Sequence, residues 1–223
     1  MTTKNLFKLS SVIFLLSVFV SVAFCQKNVT QNIDTILSKL EKQDSAIKDV
    51  QANYFQTLTY LSTNEQFDCE GIFKHKKQNY IYLEQTKPSR QYTYIDGKNI
   101  TTYVPDNRQA IVEKWKDVIN SDMLLTSVFK FVKNWKTFKK DYNIELKNET
   151  KVDYSFLIKP VKAKEKWNMT ITVSKSSSLI TSTSFNNGNF IVDVKLTNYK
   201  LNNNFSNEIF KFAAPKNIEL IEL

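Results

Sequence analysis

An α+β fold, one domain of helix and curved antiparallel sheet, is what this sequence predicts. Three observations carry the expectation. Short segments with period-two alternation follow one another between turn residues, a helix with a narrow apolar stripe precedes them, and a helical segment apolar on most sides interrupts them. No internal repeat, linker or low-complexity block divides the 223 residues. One domain after a targeting segment is therefore the economical reading.

Met1–Cys25 is that segment. Lys4 and Lys8 form a positive n-region, Leu9 to Val22 is an apolar run interrupted only by serines, and Ala23-Phe24-Cys25 puts small residues at the −3 and −1 positions of a cleavage site. The run is shorter than the roughly 20 residues of a membrane span. Cys25 also fits the end of a lipoprotein signal, but such signals place a small residue before the cysteine and Phe24 is large. Ordinary cleavage is thus favoured, with residues 26–223 as the exported domain. Cleavage leaves Cys69 alone, so no internal disulfide forms. A core of this size does not need one.

Thr30 is placed to cap a first helix whose stripe is Ile33, Ile36, Leu37 and Leu40, giving one buried face. From Ile47 the period changes: Val50, Ala52, Tyr54, Leu58 and Tyr60 alternate with Gln51, Asn53, Thr57 and Thr59, the mark of a half-buried strand. After a turn at Thr63-Asn64-Glu65, strands are expected over Gln66–Lys76, Tyr80–Gln85, Arg90–Ile95, Asn99–Val104 and Gln109–Trp115. Lys87-Pro88-Ser89, Asp96-Gly97 and Pro105-Asp106-Asn107 supply turn chemistry between them. Asp117 to Lys139 is expected to be helical, with Leu124, Val128, Phe131, Trp135 and Phe138 at three- and four-residue spacing. Met123, Leu125, Phe129 and Val132 widen its apolar surface, so it should be covered on most sides. Strands resume at Tyr142–Leu146, Tyr154–Lys159, Asn168–Ser174, Leu179–Asn186, Asn189–Leu201 and Ile209–Phe212, with Asn186-Asn187-Gly188-Asn189 as a hairpin turn.

The chain carries 31 basic and 22 acidic residues, a formal net charge of +9. Loss of Lys4 and Lys8 with the leader leaves +7. That balance permits attraction to anionic lipid or an acidic partner, but it also describes an ordinary soluble surface. The lysines are scattered (Lys74, Lys130, Lys147, Lys195), with no arginine-rich run and no glycine-bearing RNA motif, so nucleic acid is not an expected partner.

Catalytic chemistry finds little support. His75 is the single histidine, and it stands among Lys74, Lys76 and Lys77, which favours a surface residue over a general base. One His and one remaining Cys cannot readily supply the three or four ligands of a zinc site. Cys69 has no activating neighbour in sequence and reads as a small buried hydrophobe. Gly71, Gly97 and Gly188 are the only glycines, and none forms a phosphate loop or a Gly-x-Ser-x-Gly elbow. Asp141 with Glu145 is a carboxylate pair of the kind any charged protein contains. Sequons at Asn28, Asn99, Asn148, Asn168 and Asn204 occur about as often as chance gives in so Asn/Ser/Thr-rich a chain. Neither catalysis, metal nor cofactor is expected. What stands out is aromatic density. Tyr80, Tyr82, Tyr92, Tyr94 and Tyr103, with Phe73, Ile81 and Leu83, offer apolar groups to both sheet faces, one for structural helices and one for an apolar cavity, which motivates a carrier.

The order of motifs resembles the periplasmic lipoprotein carrier family, LolA. A helix precedes Val50-Gln51-Ala52-Asn53-Tyr54-Phe55-Gln56, an aromatic–glutamine strand. Glu70-Gly71-Ile72-Phe73 then starts a strand from glycine, and Glu84-Gln85-Thr86-Lys87-Pro88 ends one on proline. Asp96-Gly97-Lys98, Tyr103-Val104-Pro105, Gln109, Leu157-Ile158-Lys159-Pro160 and Phe210-Lys211-Phe212-Ala213-Ala214-Pro215 complete a pattern spanning nearly all of residues 26–223. The resemblance implies a strongly curved, incomplete antiparallel barrel whose helices cover an apolar cavity. It implies acylated lipoproteins as cargo, an inner-membrane ABC transporter as donor, an outer-membrane acceptor or bilayer as destination, a periplasmic location and a monomer. It makes Phe73, Ile81, Leu83, Tyr92, Tyr94 and Ile100 candidate cavity residues. Met123 to Trp135 becomes the candidate lid, with Leu124, Val128, Phe131 and Trp135 as further candidate acyl-chain contacts. Where well-known members have an Arg-Pro pair this chain has Lys77-Gln78. Lys77 is the expected lid contact, with its charge kept and the planar fork of arginine lost. Two other readings remain: an acceptor or lipid-binding lipoprotein of the same fold, anchored through Cys25, and a secreted hydrolase whose site the sequence does not reveal.

Overall fold

The computed structural model describes residues 32–76, 80–115, 139–161 and 166–223. Its helix α1 (Ile33–Ser45) buries Ile36, Leu37 and Leu40, the stripe read from the sequence. Asn32 accepts a hydrogen bond from the Asp34 amide at 3.0 Å, so Asn32 caps the described helix. Thr30, the expected cap, lies outside the described residues, as do Met1–Cys25, Lys77 and residues 117–138 with Leu124, Val128, Phe131 and Trp135.

Twelve strands follow: β1 (Asp49–Tyr60), β2 (Gln66–Lys76), β3 (Tyr80–Lys87), β4 (Gln91–Asp96), β5 (Asn99–Val104), β6 (Gln109–Lys114), β7 (Tyr142–Glu149), β8 (Asp153–Pro160), β9 (Asn168–Ser174), β10 (Ile180–Asn186), β11 (Phe190–Leu201) and β12 (Glu219–Glu222). They form one sheet in the order β12-β6-β5-β4-β3-β2-β1-β11-β10-β9-β8-β7. Neighbours are antiparallel except for β12, which runs parallel to β6. The edge strands β12 and β7 do not pair, so the sheet is unclosed. It is also curved. Twelve strands about 4.8 Å apart would make a flat sheet roughly 50 Å wide, against a helix of about 10–12 Å. Yet α1, Ile95 and Ile100 of one half, and Phe156 and Met169 of the other, belong to a single buried cluster.

Turn chemistry places the elements as expected at most junctions. Gly97 and Gly188 adopt φ of 87°, the left-handed conformation that the Asp96-Gly97 and Asn187-Gly188 hairpins require. Gly71 is required for space. A β-carbon there would sit 1.9 Å from the Glu84 carbonyl oxygen, at a register shift between β2 and β3.

The end of the chain corrects the sequence reading. Ile209–Phe212 is not a strand. Asn207–Phe210 forms a 3-10 turn, with the Ser206 hydroxyl accepting from the Glu208 amide at 3.3 Å. Residues 202–218 must pass from β11 across β1 to β6 to reach β12, roughly 34 Å at strand spacing, and they do so over the outer face. Phe210 is fully buried there. Phe210 and Phe212 both bear on the sheet, against Tyr80 and Tyr94. The four-residue β12 was not legible in the sequence, because a parallel pair carries no hairpin signal.

Two anchors hold the strap. The Asp49 carboxylate, 2% exposed, accepts from the amide and side chain of Asn203 at 2.6 and 3.1 Å and from the Phe205 amide at 3.2 Å. Burial pushes its carboxyl up, but these donors outweigh it and hold it below the ordinary value of 3.8. The Lys76 ammonium donates to the Phe205 carbonyl and the Asn207 side chain, each at 2.7 Å. The helix is tied at both ends as well, by Lys139 to Asp34 and by the Ser178 hydroxyl to Gln43.

Candidate functional site

Cross-strand pairing assigns each side chain to a face, because directly paired residues point the same way. On the inner face, which α1 covers in part, Ala52 pairs with Phe73, Phe73 with Leu83 and Leu83 with Thr93. His75 pairs with Ile81, Ile81 with Ile95 and Ile95 with Ile100. On the other half Phe185 pairs with Met169 and Met169 with Ile158, while Ile171 pairs with Phe156. In this phase β1–β5 and β8–β11 carry no Asp, Glu, Lys or Arg. Every charge on these strands is turned outward or lies at a strand end. The result is a continuous apolar surface across both halves of the sheet, suited to holding apolar matter and poor in groups for chemistry.

Two titratable groups that face inward, Tyr54 and Cys69, are held toward their neutral forms. Burial, then the charges of Cys69 and Glu84, push the Tyr54 phenol well above its usual range. Burial and Asp68 push the Cys69 thiol up, which disfavours its reactive thiolate. His75 corrects its sequence reading: alternation sends Lys74 and Lys76 outward and His75 inward, where it stacks on Phe73 with ring centroids 6.3 Å apart. Among the described residues no group of three or more His, Cys, Asp and Glu is placed to hold a metal ion.

Of the residues proposed from sequence, Phe73, Ile81, Leu83 and Ile100 share the inner face. Tyr92 and Tyr94 do not, and the expectation that all six line one cavity is corrected. Tyr94 pairs with Tyr82 and Thr101, and Tyr92 with Glu84 and Tyr103, all in the outer phase. There Tyr94 and Tyr103 lie 5.5 Å from Phe212, and Tyr80 lies 5.6 Å from Phe210, under the strap. Lys74 reaches over the rings of Tyr82 and Phe205, at 4.9 and 5.7 Å. The signal was available: a turn of two residues, Gly97 and Lys98, forces Ile95 opposite Ile100 and hence Tyr94 opposite Thr101.

The sequence reading also missed a row of rings along one rim of the inner face. The turns after β1, β3, β5, β8 and β10 lie at this end. Phe67 meets Tyr60 edge-on at 6.0 Å, Tyr60 is in register with Phe190, and Phe190 lies 6.1 Å from Phe185. Phe185 is 5.7 Å from Trp167, which is 5.5 Å from Tyr142. These residues lie far apart in sequence, and only the strand register assembles them.

Comparison with known proteins agrees with this architecture. A family model described as "Outer membrane lipoprotein carrier protein LolA" matches residues 45–213. The chain is similar to an outer-membrane lipoprotein carrier protein of Pasteurella multocida, 26% identical over 188 residues that cover 82% of this chain and 85% of the relative. A carrier of the same description from Shewanella halifaxensis is 24% identical over 184 residues, covering 82% and 83%. Among solved structures, an uncharacterized conserved protein from Thermus thermophilus superposes with a TM-score of 0.56 at 14% identity, covering 86% of this chain and all of that one; this likeness concerns the fold.

Proposed function

We propose, from the premise that this chain belongs to the LolA family of outer membrane lipoprotein carrier proteins, that it holds the acyl chains of lipoproteins against its inner face. One observation carries the reading: an apolar surface, without charge on β1–β5 and β8–β11, that runs across both halves of an open, curved sheet and meets Glu113 only on β6. Each methylene moved from water to that surface contributes about 0.8 kcal/mol, so a chain of a dozen carbons is held without any charge pairing. The unpaired edge strands β12 and β7 leave the sheet open, as a closed barrel would not be.

In the finer form of the proposal, export after Cys25 places residues 26–223 in the periplasm. The protein there receives acylated lipoproteins from an inner-membrane ABC transporter and releases them to an outer-membrane acceptor. It does so as a binding protein without catalysis. Residues 123–135 act as the lid over the inner face, with Lys77 as its contact. The test is a titration of a fluorescent fatty-acid probe into delipidated protein, followed by displacement with a triacylated lipopeptide. Saturable binding and full displacement are expected. A folded protein that binds neither would overturn the reading. Mass spectrometry of the exported protein should show Gln26, free or cyclised, as the first residue; a lipidated Cys25 would instead make it an anchored acceptor.

A further inference from the structure

We infer that the row of rings at the hairpin end of the inner face is the port through which an acyl chain enters and leaves, with Phe67 and Tyr60 as its outer lip. The inference rests on the carrier reading and gives it a direction.

Exposure along the row is graded. Trp167 and Phe185 are buried within the core cluster, Phe190 is half-buried, and Tyr60 and Phe67 are exposed, Phe67 at 57%. A chain of apolar rings therefore leads from solvent to the inner face without a charged side chain in its register. Exposed rings in contact with each other and continuous with a core are not scattered surface hydrophobics, which need no explanation; they form a patch that stays wet only until something apolar covers it. Rings suit passage better than tight grip. They are flat, rigid and without directional demands on a methylene chain, and the Tyr60 hydroxyl can remain hydrated while its ring face is covered.

At the opposite end of the sheet the anchors belong to the outer face. There α1 leads into β1, and Asp49 fastens the strap to the junction through Asn203 and Phe205. The apolar approach runs through the rings.

A port lowers the barrier to movement in both directions and leaves the equilibrium alone, so kinetics test it. Full-length protein without its leader is mixed in a stopped flow with an anthroyloxy-labelled fatty acid, and release is followed by a chase with excess oleate. The proteins are wild type, Phe67→Ala, Phe67→Tyr and Leu220→Ala, the last an exposed apolar residue on the far edge strand β12, outside the row of rings. Phe67→Ala should slow uptake and release alike, by about tenfold, while affinity stays within roughly twofold. Phe67→Tyr should restore both rates, and Leu220→Ala should change neither. An unchanged thermal midpoint shows that the exposed site was altered without harm to the fold. Equal rates in Phe67→Ala and wild type would overturn the port, as would faster release with normal uptake, which marks a holding contact. Absence of saturable binding by folded wild type would overturn the carrier reading and the port with it.

Discussion

The two faces of strands β2 to β5 come from the same alternating segments, yet the chain treats them in opposite ways. Outward, Tyr80 meets Phe210 of the strap, Tyr94 and Tyr103 meet Phe212, Lys74 lies over both Tyr82 and Phe205, and Lys76 and Asp49 tie that strap down. Inward, Phe73, Ile81, Leu83, Ile95 and Ile100 face an apolar surface shared with the far half of the sheet. The outer face is closed by its own chain through covalent continuity, which fixes its partner. The inner face is left to α1 and to whatever enters from the rim. On β2 to β5 the tyrosines mark the locked side, and mainly aliphatic side chains mark the side proposed to hold cargo.

The change expected to break both faces at once is Gly71→Ala. Its β-carbon has no room beside the Glu84 carbonyl, so β2 must separate from β3. A loss of about 3 kcal/mol or more in a urea melt is expected. A loss under about 1 kcal/mol would mean that the register shift relaxes easily.

Phe210→Ala separates the faces. The side chain is fully buried under the strap, and its removal should cost about 3–5 kcal/mol of stability. Protein that remains folded should bind an acyl-chain probe as wild type does. Loss of probe affinity in the folded variant would show that the outer lock shapes the inner face.

Asp49 sharpens the same contrast through pH. Its folded carboxyl lies below 3.8, so as pH falls the unfolded state takes up its proton before the folded state does. The stabilisation is complete above the ordinary carboxylate range and is lost as pH falls through the lower folded value. Asp49→Asn should cost about 1–3 kcal/mol at neutral pH, and the gap to wild type should narrow below pH of about 4. Urea melts of both proteins between pH 7 and pH 3 measure it; a constant gap would place the effect in packing instead of charge.

The mildest change lies on the inner face. Leu83→Ala should weaken acyl-probe binding about fivefold, close to 1 kcal/mol, with little effect on the fold. Tyr92→Ala, on the outer face, should leave probe binding unchanged. The reverse order would exchange the roles assigned to the two faces.

Much of the fold was legible because turns declare themselves. Asp96-Gly97 and Asn187-Gly188 set two hairpins, and the alternation of Val50 to Tyr60 set the central strand. The α1 stripe followed from its period. Tyr92 and Tyr94 were assigned to the wrong face because strand phase was not carried through the turn that fixes it. His75 was read from its lysine neighbours, although adjacent strand residues point oppositely. The strap and β12 escaped because their partners are distant: Phe210 finds Tyr80, and Leu220 finds Ala110, across long stretches of sequence. The rim rings escaped for the same reason. A site assembled by register from five strands and the residue before β9 leaves no local motif to read.

The claim that the inner face holds acyl chains is tested most directly by methyl-resolved NMR on Ile, Leu and Val during titration with lauric acid. Inner methyls of Ile81, Leu83, Ile95, Ile100 and Ile158 should shift together and saturate, while outer methyls of Ile72, Val112 and Leu157 should stay in place. Saturable shifts confined to the outer set, or none in either set with the protein folded, would contradict the account.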